Sequence, residues 1–143
     1  MIKKIIISII LMGIILFGLI QLVPYGHNHI NPAIVSEPKW DSPQTKELAK
    51  RACLNCHSNE TVWPWYSNVA PVSWLVLNDV EKGREYLNFS DWENFSVGYT
   101  GLARVIENGK MPPLKYFPTH PEARLTSSEK AQLLDGLKNT LSK

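Results

Sequence analysis

Cysteine is nearly absent from this chain. Its two residues, Cys53 and Cys56, cannot form a disulfide framework of the kind that staples small secreted domains. A charge excess of one sign is missing as well. Lys3 and Lys4 account for the formal +2, and the remaining 13 basic residues (15 less those two) face 13 acidic ones. A balanced chain carries no electrostatic footprint for a nucleic acid, so no such partner is expected. Convincing pairs of alternating strands are missing, and so is any internal repeat, which argues against a sheet-built domain or a solenoid. Methionine is scarce too: past the first 23 residues there is only Met111.

A long apolar run, by contrast, is present at the start. After Lys3 and Lys4 it extends from Ile5 to Val23, broken only by Ser8, Gly13, Gly18 and Gln21. As a helix it would be roughly 28 Å long, about the thickness of a bilayer's hydrocarbon core. A cleaved signal would share the positive start but usually has a shorter core and a small-x-small cleavage site, which Gln21-Leu22-Val23-Pro24-Tyr25 does not supply. An uncleaved single-pass anchor is the preferred expectation. The two lysines then stay cytoplasmic, which puts the rest of the chain on the periplasmic, extracytoplasmic side of a cell inner membrane. Residues 24–42 hold Pro24, Gly26, Pro32 and Pro38 without periodicity and read as an extended tether.

Residues 43–143 read as one small all-α domain with long loops. Ser42 with Pro43 is a helix start expected to run to about Cys53. A second helix is predicted from Pro71, carrying Trp74, Leu75, Leu77 and Val80. Ser90 or Asp91 opens a short turn holding Trp92 and Phe95, and Thr100 is expected to cap a helix ended by Asn108-Gly109. Thr126-Ser127-Ser128-Glu129 is a capping box ahead of the stripe Leu133, Leu134, Leu137 and Leu141. Charged runs such as Glu81-Lys82-Gly83-Arg84-Glu85 read as solvated helix surface.

Both cysteines fall in Cys53-Leu54-Asn55-Cys56-His57. Two thiols at this spacing can each add to one vinyl group of a single haem, and the histidine next in the chain is then held under the iron as its proximal ligand. The competing readings are weaker. A thioredoxin-like redox pair normally comes after a strand in a βαβ pattern, which is not visible. A disulfide across so small a loop stabilises little. Zinc would need a fourth ligand recruited from afar, such as His120.

One haem, covalently held, leaves the iron's other face to be filled. His27 and His29 lie in the expected tether and suit a fixed ligand poorly. Met111 sits in Asn108-Gly109-Lys110-Met111-Pro112-Pro113, where a glycine turn and two prolines beyond the methionine can present its sulfur to a buried metal. Met111 is the preferred distal ligand, with His120 or an open position as alternatives; the bland reading of a lone methionine is gap-filling. Trp63, Pro64, Trp65, Tyr66 and Trp74 cluster after the motif, and most of them are expected to build the core while one or two wall the haem. Arg84, Arg104 and Lys110 are candidate propionate partners.

The run from Cys53 to Ser67, ending Trp63-Pro64-Trp65-Tyr66-Ser67, with Val69-Ala70-Pro71-Val72-Ser73-Trp74 after it, resembles the bacterial haem-binding domain family of small c-type cytochromes. Met111-Pro112-Pro113 with Tyr116, then His120-Pro121 and Ala123 before Leu125, is similar to the same family's C-terminal signature. The resemblance implies an exported, often tethered haem c domain. The expected function is single-electron transfer rather than catalysis, with no catalytic residue, His57 and Met111 on the iron, and unknown protein redox partners. A small peroxidase or a haem-based sensor with an open distal position is the alternative, and a thiol redox protein ranks below both.

Overall fold

The computed structural model describes residues 1–96 and 98–142, and every named element among those residues is helical. The all-α expectation holds. Helix α1 (Ile2–Ile20) is apolar on every face and buries no residue, as expected of a helix with no protein face to cover. It is long and apolar enough to cross a membrane, which is consistent with a single-pass anchor; a signal sequence passes the same test.

The chain divides into two compact units, Met1–Ile30 with Trp63–Asp79, and Asn31–Val62 with Val80–Lys143. In the first, the segment after α1 is held by specific contacts. Gln21 makes two hydrogen bonds to the backbone of Ala70. Gly26, at φ 91°, is buried against Ser73 and Trp74, and a Cβ there would come within 2.7 Å of the Ser73 hydroxyl. The His29 ring stacks on Trp63 at 4.5 Å while its Nε2 lies 3.0 Å from the Ser67 carbonyl.

In the second unit, residues 31–41 form no helix and are tied down by hydrogen bonds and packing. Asn31 donates to the Thr61 carbonyl, Asn59 donates to the Ala33 carbonyl, and Ser36 bridges to Asp91. Trp40 stacks on Phe89, which stacks in turn on Trp92. Ser42 then caps helix α2 (Pro43–Ala49) by accepting from the Thr45 N–H, with Pro43 in the first turn where its missing N–H costs nothing. The helical path does not stop near Cys53. It widens into a π-turn, Lys50–Leu54, and continues through α3 (Asn55–His57).

Helix α4 (Val72–Tyr86) begins beside the expected Pro71. The short turn after Asp91 is a 3-10 turn, Trp92–Asn94. Helix α5 (Tyr99–Glu107) corrects one expectation: Gly98 is its N-cap, and Thr100 lies inside the first turn with no capping role. The expected stop is present, with Gly109 at φ 65° accepting the left-handed turn that L-residues resist. Helix α6 (Ser127–Leu141) carries the full capping box of Thr126 and Glu129. Its Gly136 faces Thr45 of α2 so closely that a Cβ would collide with that side chain, which is why glycine stands there. Leu48, Ala49, Leu54, Leu87, Phe89, Ile106, Leu133 and Leu137 form the core, with Cys53 packed against it.

Candidate haem site

The helical stretch from Pro43 to His57 presents the three motif residues. Its α2 end is pinned to the core by Leu48 and Ala49, and the π-turn resets the angular position of the residues from Asn55 to His57. Such one-turn bulges are common at functional sites because they re-aim side chains without ending a helix. Cys53 and Cys56 are not joined by a disulfide.

His57 is half-buried, and its Nδ1 lies 3.0 Å from the Leu87 carbonyl oxygen. A carbonyl can only accept, so Nδ1 carries the proton and Nε2 carries the lone pair. Burial pulls the imidazole's pKa below its usual value of 6.5, while the carbonyls of Leu87 and Gly83 pull it upward. A neutral ring fixed through one nitrogen, with the other basic, is how a metal-ligating histidine is held. The backbone reinforces it, since the Phe89 N–H donates to the His57 carbonyl at 2.7 Å.

The loop after the motif is stitched to its surroundings. Asn55 donates to the Tyr116 hydroxyl at 2.8 Å and accepts from the Val62 N–H, and Thr61 donates back to the Asn55 carbonyl. Arg84 donates to the Ser58 carbonyl through Nε at 2.8 Å, and to Asn31 Oδ1 and the Thr61 hydroxyl through Nη2. Behind Cys56, Gly83 of α4 comes so near that a Cβ would collide with the Cys56 carbonyl. Arg51 donates twice to the Glu122 carbonyl and pairs with Glu129 at 2.6 Å. It thereby ties the turn before the motif to the capping box of α6.

A cleft of about 310 Å³ opens beside Cys53 and Met111. Its walls are mostly apolar: Ala52, Ile106, Pro112, Leu114, Phe117, Ala123, Leu125 and Leu133. Met111 is held at its edge because the Lys110 and Met111 N–H groups both donate to the Val105 carbonyl, at 2.9 and 3.0 Å. The Met111 side chain is 42% exposed, so it is not plugging the core. The structure thus brings Cys53 and Met111 to one cleft, while Cys56 and His57 are not among its lining residues.

Other expectations fare differently. His120 does not reach the cleft; its ring stacks on Tyr116 at 3.8 Å with the Thr119 hydroxyl 3.1 Å from Nδ1. The aromatic wall of the cleft is Phe117, and Trp63, Trp65, Tyr66 and Trp74 do not line it. The cations on the cleft are Arg124 and Lys130, which sequence reasoning passed over in favour of Arg84, Arg104 and Lys110. The Arg124 guanidinium sits 5.4 Å from the Phe117 ring centroid. Arg84 is occupied in bracing the motif loop. A signal for Arg124 existed, because it comes immediately after the His120-Pro121 and Ala123 block.

The rival chemistries gain nothing from this geometry. Burial, with Cys56 alongside, pushes the Cys53 thiol up to about 12, the opposite of the depressed value that makes a redox thiol reactive. Among the described residues, no three His, Cys, Asp or Glu side chains converge as a metal cage, which leaves zinc without its ligands.

No curated protein and no solved structure matches this chain. One family does: the match covers residues 15–139, from inside α1 to the last turns of α6, and so takes in the motif helix, the Met111 loop and the cleft together. With a match across most of its length, the chain belongs to the family of haem-binding domains.

Proposed function

We propose that this protein is a membrane-anchored carrier of single electrons, with one haem c fixed to Cys53 and Cys56. The residue types suit the group, although Cys56 and His57 lie outside the lining of the cleft that takes in Cys53 and Met111. His57 Nε2 is the basic nitrogen of a neutral, half-buried ring and would serve as proximal ligand. Cys53 and Cys56 hold the haem through thioether bonds to its two vinyl groups, and the raised pKa of the buried Cys53 thiol speaks against redox cycling. Met111 at the cleft edge supplies the second ligand, and Arg124 and Lys130 offer positive charge to the propionates. Bound there, the haem iron stores and releases one electron, and methionine ligation raises its potential.

The observation that carries the reading is the bond from His57 Nδ1 to the Leu87 carbonyl, which leaves Nε2 for iron. An electron carrier needs no acid–base group over the iron, whereas a peroxidase does. Among the described residues, the cleft lining holds no His, Asp or Glu, which favours the carrier. If α1 is retained, it places the domain on the extracytoplasmic side, where short-range shuttling to membrane-bound partners is helped by high effective concentration.

The test is to produce the chain with a cytochrome c maturation system, denature it on a gel and stain for haem. Haem that remains with the band supports covalent attachment, and its loss from a Cys53→Ala, Cys56→Ala variant assigns it to the motif. A wild-type band without haem sinks the proposal. The exposure of Met111 supports one second reading, a sensor in which a gas displaces a weak distal ligand. Ready displacement of Met111 by carbon monoxide in the ferrous protein would favour it.

A further inference from the structure

We infer that the segment 63–75 is a membrane-interface platform, docking on the lipid headgroup layer at the point where α1 leaves the bilayer; the inference rests on the reading of α1 as a retained anchor. Gln21 comes directly after Ile20, the last residue of α1. Its Nε2 donates to the Ala70 carbonyl at 3.0 Å, and its Oε1 accepts from the Ala70 N–H at 2.9 Å. A second tie is the stack of His29 on Trp63, and a third is the burial of Gly26 against Ser73 and Trp74. The exit of the span and the 63–75 segment therefore form one body rather than two pieces joined by loose chain.

That attachment sets the segment's depth. A span of roughly 28 Å nearly fills a hydrocarbon core of about 30 Å, and the headgroup layer adds about 5–8 Å on each side. Ala70, bonded to Gln21, sits at the inner edge of that layer. Trp65 is five residues away, three steps of it in the 3-10 turn Trp65–Asn68 and two through extended Val69, which keeps it within about 13 Å.

Composition identifies the occupant. No Asp, Glu, Lys or Arg occurs from Ile5 to Ile30 or from Trp63 to Asn78, in a chain that is 20% charged. Yet this same body exposes large apolar residues: Trp65 at 79%, with Leu22, Tyr25, Val72 and Leu75 also exposed. Such residues are unfavourable facing bulk water, while Trp and Tyr are at home in the headgroup layer, where one end is apolar and the other wet. With no Lys or Arg in the patch, attraction to anionic lipid is not what holds it. Neutral lipid suffices, and salt should not release it.

The experiment uses the full-length, haem-loaded chain in phosphatidylcholine nanodiscs carrying one copy each. Intact mass is measured first. A chain lacking α1 would end the anchor reading and this inference with it. For a retained α1, hydroxyl-radical footprinting compares Trp65 with Tyr86, which is 75% exposed and serves as an internal reference. Each is normalised to its reactivity in the unfolded chain. Lipid cover predicts oxidation at Trp65 about tenfold below that at Tyr86, unchanged in 1 M salt where the screening length is about 3 Å. Equal oxidation of the two, with α1 present, overturns the platform while leaving the anchor intact. Protection confined to discs carrying two copies overturns it too, making the patch a self-association surface.

Discussion

A single proton on Nδ1 of His57 decides which ring nitrogen keeps its lone pair free, and the Leu87 carbonyl holds that proton in place. Met111 is the complementary residue: lightly packed, fixed by its backbone, and open at the cleft edge. Met111→Ala is expected to leave haem attachment intact but turn the ferric spectrum from low to high spin. Its potential should fall by about 59 mV or more, a tenfold change in a one-electron equilibrium, because the thioether favours ferrous iron. An unchanged spectrum would remove Met111 from the iron.

Glu129 gives a pH prediction at the same scale. The hydrogen bond from Arg51 comes first, with the Thr126 N–H and hydroxyl next, and together they lower its pKa from 4.5 to about 2. A lowered folded pKa stabilises the fold above the unfolded value and loses that contribution as pH falls. The loss should therefore develop between about pH 4.5 and pH 2. Thermal unfolding of wild type against Glu129→Gln should show a gap at pH 6 that narrows by pH 3. A gap independent of pH would mean the carboxylate's charge is not what matters. Cys53, Cys56, His57 and Met111 can be named as candidates from the sequence alone. Leu87 cannot, because a backbone carbonyl partner is chosen by where two distant segments meet and carries no side-chain signature.

At the scale of elements, packing distances rather than propensity separate equivalent-looking residues. Gly83 and Gly101 both lie in helices, but only Gly83 backs onto another backbone, at Cys56. Gly83→Ala should cost about 1–3 kcal/mol in denaturant unfolding and reduce haem loading, since α4 must move away from the motif loop. Gly101→Ala meets open space in α5 and should stabilise by about 0.5 kcal/mol through the unfolded chain's lost freedom. Equal effects of the two would refute the close-approach argument. The caps at Ser42 and Thr126 were readable because capping is local chemistry within four residues. The π-turn at Lys50–Leu54 was not, because nothing in an apolar 3.6-residue pattern distinguishes a widened turn from a regular one. Thr100 shows the reverse failure: a good capping residue is passed over when the chain enters the helix earlier, at Gly98.

At the scale of the whole molecule, the packed core is small and the cleft beside it is apolar, so a bound haem should act as part of the core. A haem linked through thioethers stays on the chain when it unfolds, so it would stabilise the fold through the apolar contacts and iron ligation that only the folded chain makes. The chain made without maturation is therefore expected to unfold at a lower temperature than the loaded one, as monitored by far-UV circular dichroism. Coincident curves would show that the cleft does not need its occupant.

The chemistry that is local along the chain was determined by the sequence itself. It established the apolar helix, the all-α character, the paired thiols with their histidine, and the methionine loop. Each depends on spacing within a few residues, and periodicity and capping report that directly. The tertiary structure decided the rest. It chose Leu87 as the His57 partner, Gly83 as the floor beneath Cys56, Phe117, Arg124 and Lys130 as cleft residues, and Ala70 as the anchor point of Gln21. Those choices join residues from 27 positions apart (Cys56 and Gly83) to 77 apart (Cys53 and Lys130), where the deciding quantity is which backbones can approach and which polar groups must be satisfied once buried.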